Sequence, residues 1–100
     1  MSTKNNVKLM EVFNGAPGVS RSYSLREIYI NPQHVICLRS EDGLEKMLQE
    51  GRLIDGLDKR QRLTRVSVSN NSYEEDIIVI GSIDEVYKKL NTEAKSLLRG

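Results

Sequence analysis

The sequence predicts an α+β fold, a five-stranded, mostly antiparallel, strongly bent sheet with a short inserted helix and a longer C-terminal helix. Short runs rich in β-branched and aromatic residues, separated by Gly, Pro, Asn and Ser signals, predict the strands. Apolar residues recurring at helical spacing from Ile83 onward predict the closing helix. Very short connections between strands, with a helix at one end, predict a sheet that bends into an incomplete barrel.

The first strand reads Val7 to Phe13, with Val7, Leu9 and Glu11 on one face and Lys8, Met10 and Val12 on the other. Asn14-Gly15-Ala16-Pro17-Gly18 then signals a turn, because glycine supplies positive φ and proline fixes its own. Tyr23 to Ile30 is the second strand, and Asn31-Pro32 stops it, since proline cannot donate to a ladder. His34 to Leu38 is apolar on both faces, which predicts a central strand covered on both sides. Asp42 and Glu45 have capping-box spacing ahead of a short apolar stripe, Leu44, Met47 and Leu48, which ends before Gly51. Arg52 to Arg62 reads as a loop or ragged helix. Leu63 to Ser69 alternates, Thr64, Val66 and Val68 inward and Arg65, Ser67 and Ser69 outward, as in a half-exposed antiparallel strand. Asn70-Asn71-Ser72 makes a turn, and Asp76 to Ile80 completes the hairpin with apolar residues for both faces. Ser82 and Glu85 form the box S-x-x-E before the helix stripe Ile83, Val86, Tyr87, Leu90, Ala94, Leu97 and Leu98.

One hundred residues suit one domain, expected over 7–98, with a flexible start at 1–6 and an inserted helix and basic loop at 40–62. The formal net charge of +1 argues against a general polyanion coat and leaves room only for a local basic surface. Cys37 is the only cysteine, so an intrachain disulfide is excluded and a buried small hydrophobe is expected there. The start shows no secretory signal and no window approaches a membrane span, so a cytoplasmic setting, the cell's own or a host's, is the expectation.

Candidate chemistry is sparse. A single histidine, His34, and a single cysteine exclude the usual zinc sets within one chain, and neither a GxxxxGK[ST] nor a GxGxxG loop occurs. No nucleophile, base and orienter stand together, so no enzyme and no cofactor are expected. The acidic run Glu74-Glu75-Asp76 reads as a solvated turn, or as a partner for the basic segment of a neighbouring subunit. The basic segment is the functional candidate: Arg52, Lys59, Arg60, Arg62 and Arg65 fall close together, opposed only by Asp55 and Asp58. Guanidinium groups grip phosphate and carboxylate bidentately. Arg21 and Arg26 form a second group, and Phe13 or Tyr23 offers a ring for stacking.

Two resemblances follow from these residues. The Asn14-Gly15 turn, the segment Tyr29-Ile30-Asn31-Pro32, the strand opening His34-Val35-Ile36, the stretch Thr64-Arg65-Val66-Ser67-Val68 and the run from Ile78 to Val86 resemble the FlbD-like family of small flagellar proteins. The resemblance covers about half the chain, which differs in an insertion at Glu41–Arg62 and a longer final helix, and it implies a fold rather than a flagellar role. The chain is also similar in style to compact phage proteins, some of which sequester host nucleotide signals.

The leading expectation is therefore a non-enzymatic, homo-oligomeric binding protein for a small phosphate-bearing ligand such as a nucleotide. Nucleic-acid binding through the same surface is one alternative. The other is a protein-docking regulator that uses Leu53, Ile54 or Leu57.

Overall fold

In the computed structural model the elements run β1 (Val7–Asn14), β2 (Tyr23–Ile30), β3 (Val35–Ser40), α1 (Asp42–Gln49), β4 (Leu63–Asn70), β5 (Tyr73–Ile80) and α2 (Ile83–Arg99). It describes residues 6–15, 23–70 and 73–91, and beyond these the backbone of α2 to its end. One five-stranded antiparallel sheet has the order β2-β1-β5-β4-β3. Two hairpins build it: β1 and β2 pair from Val7↔Ile30 to Asn14↔Tyr23, and β4 and β5 from Leu63↔Ile80 to Asn70↔Tyr73. The hairpins meet along a short seam, Glu11↔Val79 and Val12↔Ile78.

The two edge strands are consecutive in sequence. Only Asn31 to His34 separates β2 from β3, although these strands lie at opposite edges, so the sheet has to curl until its edges approach. Ile28, Ile30 and His34 accordingly line a small cavity of about 180 Å³ together with Val68, Tyr73 and Ile77 from the other hairpin. The link is a single 3-10 turn. Asn31 caps it by accepting from the Gln33 N–H at 3.0 Å, and Pro32 occupies its first turn, where a missing N–H costs nothing.

Alternation along β5 decides what covers the sheet. Ile77 and Val79 join Val7, Leu9, Ile30 and Val66 under Val86 and Leu90 of α2. Ile78 and Ile80 turn the other way, toward Val12, Leu63, Leu48 of α1 and Leu53 of the following loop. The double apolar face expected of β5 is thus used within the chain.

Several expectations are corrected. The His34–Leu38 segment is not a central strand: His34 ends the 3-10 turn, and β3 begins at Val35 and forms an edge, with Ile36 55 % exposed and Cys37 half-buried. A bulge between Val35 and Cys37 breaks the alternation that would have buried this strand. The Asp42/Glu45 capping box does not form. Glu41 is the N-cap of α1, without a side-chain cap, and Glu45 turns inward to accept from the Leu63 N–H at 2.7 Å. The acidic run Glu74–Asp76 lies within β5, which starts at Tyr73. Leu53 is buried, and Ile54 and Leu57 are half-buried beside it, because the Arg52–Arg62 loop folds back over α1. Tyr87 is 58 % exposed rather than core. The Ser82/Glu85 box does form, with Ser82 N–H donating to Glu85 at 2.8 Å and Glu85 N–H donating to Ser82 Oγ at 3.2 Å.

Candidate functional site

The four arginines of the basic segment each hold a carboxylate. Arg52 donates Nε and Nη2 to Glu50 at 2.9 and 2.6 Å. Arg60 grips Asp58 through both oxygens at 3.2 and 3.1 Å. The hydrogen bond from Arg60 holds the Asp58 carboxyl below its ordinary range, and the one from Arg52 does the same for Glu50. Arg62 reaches the buried Glu45 at 3.1 Å. Arg65 spans Glu41 at 2.5 Å and Asp76 at 3.4 Å, and the bond to Glu41 pushes its own pKa upward.

Arg26 is paired in the same way. It bonds the buried Glu11 at 2.8 Å, and its guanidinium lies 4.0 Å from the centre of the Phe13 ring. Phe13 therefore faces a cation of its own chain. Lys59 runs beside Gly51, with no carboxylate partner among the described residues. Arg21 lies outside the described residues.

The fold brings Phe13, Tyr23 and Arg65 to one recess of about 430 Å³, but Glu11, Glu41 and Asp76 line it too. The basic segment is thus a series of closed ion pairs rather than a pool of free guanidinium groups. A ligand phosphate would have to share each arginine with its carboxylate, through the N–H groups the ion pair leaves over.

The larger concavity was not legible in the sequence. Because the β1–β5 ladder lasts only from Glu11↔Val79 to Val12↔Ile78, the first half of β1 parts from β5 and from the start of α2. The gap is a cleft of about 760 Å³. Ile80 and the all but buried Val7, Leu9 and Val86 form its apolar floor, and Lys8, Lys88 and Lys89 stand around it. Lys8 makes a loose ion pair with Glu27 at 3.6 Å, while Lys88 and Lys89 have no carboxylate partner among the described residues. The one carboxylate in the wall, Glu85, is committed to the Ser82 N–H. The lysines are 80 residues apart in sequence, so composition in a window could not join them. The only local sign was the adjacent pair Lys88-Lys89 beside the helix stripe.

Among the described residues, no group of His, Cys, Asp and Glu side chains is arranged to hold a metal ion. Among these residues, too, no helix is long and apolar enough to cross a membrane. No family model, curated protein or solved structure matches the chain. Fold and cleft together define a small curled-sheet α+β domain with one lysine-rimmed concavity beside its closing helix.

Proposed function

We propose that the chain is a non-enzymatic binding protein for a small amphipathic anion, a nucleotide being one member of that class, and that the β1–α2 cleft holds it. The observation that carries the reading is the pairing of an apolar floor with three lysines in a cleft of about 760 Å³. Small-molecule sites typically span roughly 300–1,000 Å³, with mostly apolar walls and a few polar groups that fix orientation. An apolar body would lie along the half-buried Ile80 and the alkyl stems of the lysines, over the buried Val7, Leu9 and Val86, and a phosphate or carboxylate would meet Lys88, Lys89 and Lys8.

Charge favours this over a long polyanion. The arginines of the basic segment are each paired with a carboxylate, which lowers the charge that this segment presents to a nucleic-acid backbone. Self-association belongs to the reading as well. Met10, Leu25 and Tyr29 lie on one face of the β1–β2 hairpin and are exposed, the surface a second copy would cover.

Native mass spectrometry of gently purified protein, before and after denaturation, reads subunit number and any retained small molecule together. The expected result is a phosphate- or carboxylate-bearing adduct that is lost in the Lys88→Glu, Lys89→Glu double variant and kept in Arg60→Ala, Arg62→Ala. The reverse pattern would return the site to the basic segment. No adduct, together with no heat on titration with adenosine monophosphate, would overturn the reading.

A further inference from the structure

A second groove runs along the free edge of the sheet. β3 pairs with β4 on one side, and among the described residues nothing pairs with its other side. Val35, Ile36, Cys37 and Leu38 in succession line a groove of about 530 Å³, whose opposite wall is the α2 stripe Ile83, Tyr87 and Leu90. The groove thus runs between a strand edge that, among the described residues, has no ladder partner, its Val35 N–H alone being turned back to the Pro32 carbonyl, and the apolar side chains of α2. Ile36, turned out by the bulge, and Tyr87 are its most exposed apolar groups, at 55 % and 58 %.

A cation stands just past this edge. Among the described arginines, Arg39 alone has no carboxylate partner. Its cross-strand neighbour is Arg65, whose charge Glu41 and Asp76 already satisfy. Like charges opposite one another are unfavourable, and a negative group added beside Arg39 would relieve the repulsion.

We propose that this groove takes an extended peptide segment of a partner protein, added to β3 as a further strand, with apolar side chains against Ile36 and Tyr87 and an acidic residue opposite Arg39. Backbone pairing supplies the attachment, and the groove and Arg39 supply the choice of sequence. A second copy of this chain fits less well. The strand Val35–Ser40 contains no acid, so two copies edge to edge would leave both Arg39 side chains unpaired. The four edge residues span about 13 Å, enough for a short motif of about four or five residues.

The test is selection of a random heptapeptide display library on the full chain, with the enriched peptides resynthesised and measured by fluorescence anisotropy. The expected winners alternate β-branched or aromatic residues and carry an Asp or Glu. Methylating alternate amide nitrogens of such a peptide should abolish binding. Arg39→Glu should weaken it by about tenfold or more, because a charge-assisted hydrogen bond is replaced by a repulsion. Ile36→Asp and Tyr87→Ser should each weaken it with the circular dichroism spectrum unchanged, both side chains being mostly exposed. Failure to enrich any peptide would overturn the proposal, as would winners indifferent to Arg39→Glu and to amide methylation. Concentration-dependent dimers abolished by Ile36→Asp would also overturn it by assigning the edge to a second copy.

Discussion

At the scale of the residue, the buried carboxylates organise their surroundings. Glu45 is only 7 % exposed, yet its Oε2 accepts from both the Leu63 N–H and the Arg62 guanidinium. It thereby ties the inward face of α1 to the first residue of β4. Glu45→Ala would leave the buried Leu63 N–H without its acceptor, which costs about 1–3 kcal/mol. Glu45→Gln keeps a carbonyl oxygen for that N–H and should recover most of the loss. Arg62→Ala leaves the buried Glu45 its Leu63 N–H and removes a half-exposed partner, so it should cost less than Glu45→Ala. Urea unfolding of the three variants checks the order, and equal losses for Glu45→Ala and Arg62→Ala would show that the ion pair, not the backbone hydrogen bond, matters. The same pairs explain why the basic segment could be found in the sequence but not read correctly. Asp58 and Glu50 sit two residues from their arginines and were visible as neighbours. Glu45 and Glu41 reach theirs across 17 and 24 residues, which only the fold supplies.

Elements were more legible than their neighbours in space. Every strand and both helices stand close to the positions that local patterns predict, because alternation, turn residues and the capping box are properties of a few adjacent residues. Edge or centre is not such a property. β3 and β5 both read as doubly apolar, yet β5 is central under α2 and α1, while β3 is an edge with a bulge. The lysine cleft was hidden for the same reason, since it exists only where one ladder stops.

The junction of β5 and α2 is the element boundary most exposed to single changes. Gly81 has φ +127°, its N–H donates to the Arg62 carbonyl at 2.7 Å, and its own carbonyl accepts from the buried Thr64 hydroxyl at 2.8 Å. An added Cβ would stand 3.3 Å from Val86 Cγ2 as well as in an unfavourable backbone region. Gly81→Ala should therefore lower stability by more than about 1 kcal/mol. Ser82→Ala removes the acceptor of the Glu85 N–H and should cost about 1 kcal/mol, the usual worth of a cap. Thermal unfolding orders the two, and a Gly81→Ala protein as stable as wild type would mean that the strand-to-helix turn relaxes to another conformation.

At the scale of the whole molecule, the controlling fact is that the chain joins the two edges of its own sheet through Asn31–His34. That link holds the sheet curled without closing it, since β2 and β3 share no ladder. Curling packs Val7, Leu9, Ile30 and Val66 under α2, and the missing closure leaves two strand edges without a ladder partner among the described residues. Amide exchange should reveal this division directly. In β5 only Ile78 and Val79 lie in ladders with both β1 and β4, and the amides there should be protected up to the global stability. Along β2 and β3 the amides that face the neighbouring strand should be slow, and those that face outward should exchange through local fluctuation. The pattern should not change on dilution if the edges are open to solvent. Protection of every amide in Val35–Ser40 that disappears on dilution would mean that a second copy covers β3 and that the groove beside α2 is an interface between copies. Protection that persists on dilution would mean that another part of the same chain pairs with this edge, and neither reading leaves it free for a partner.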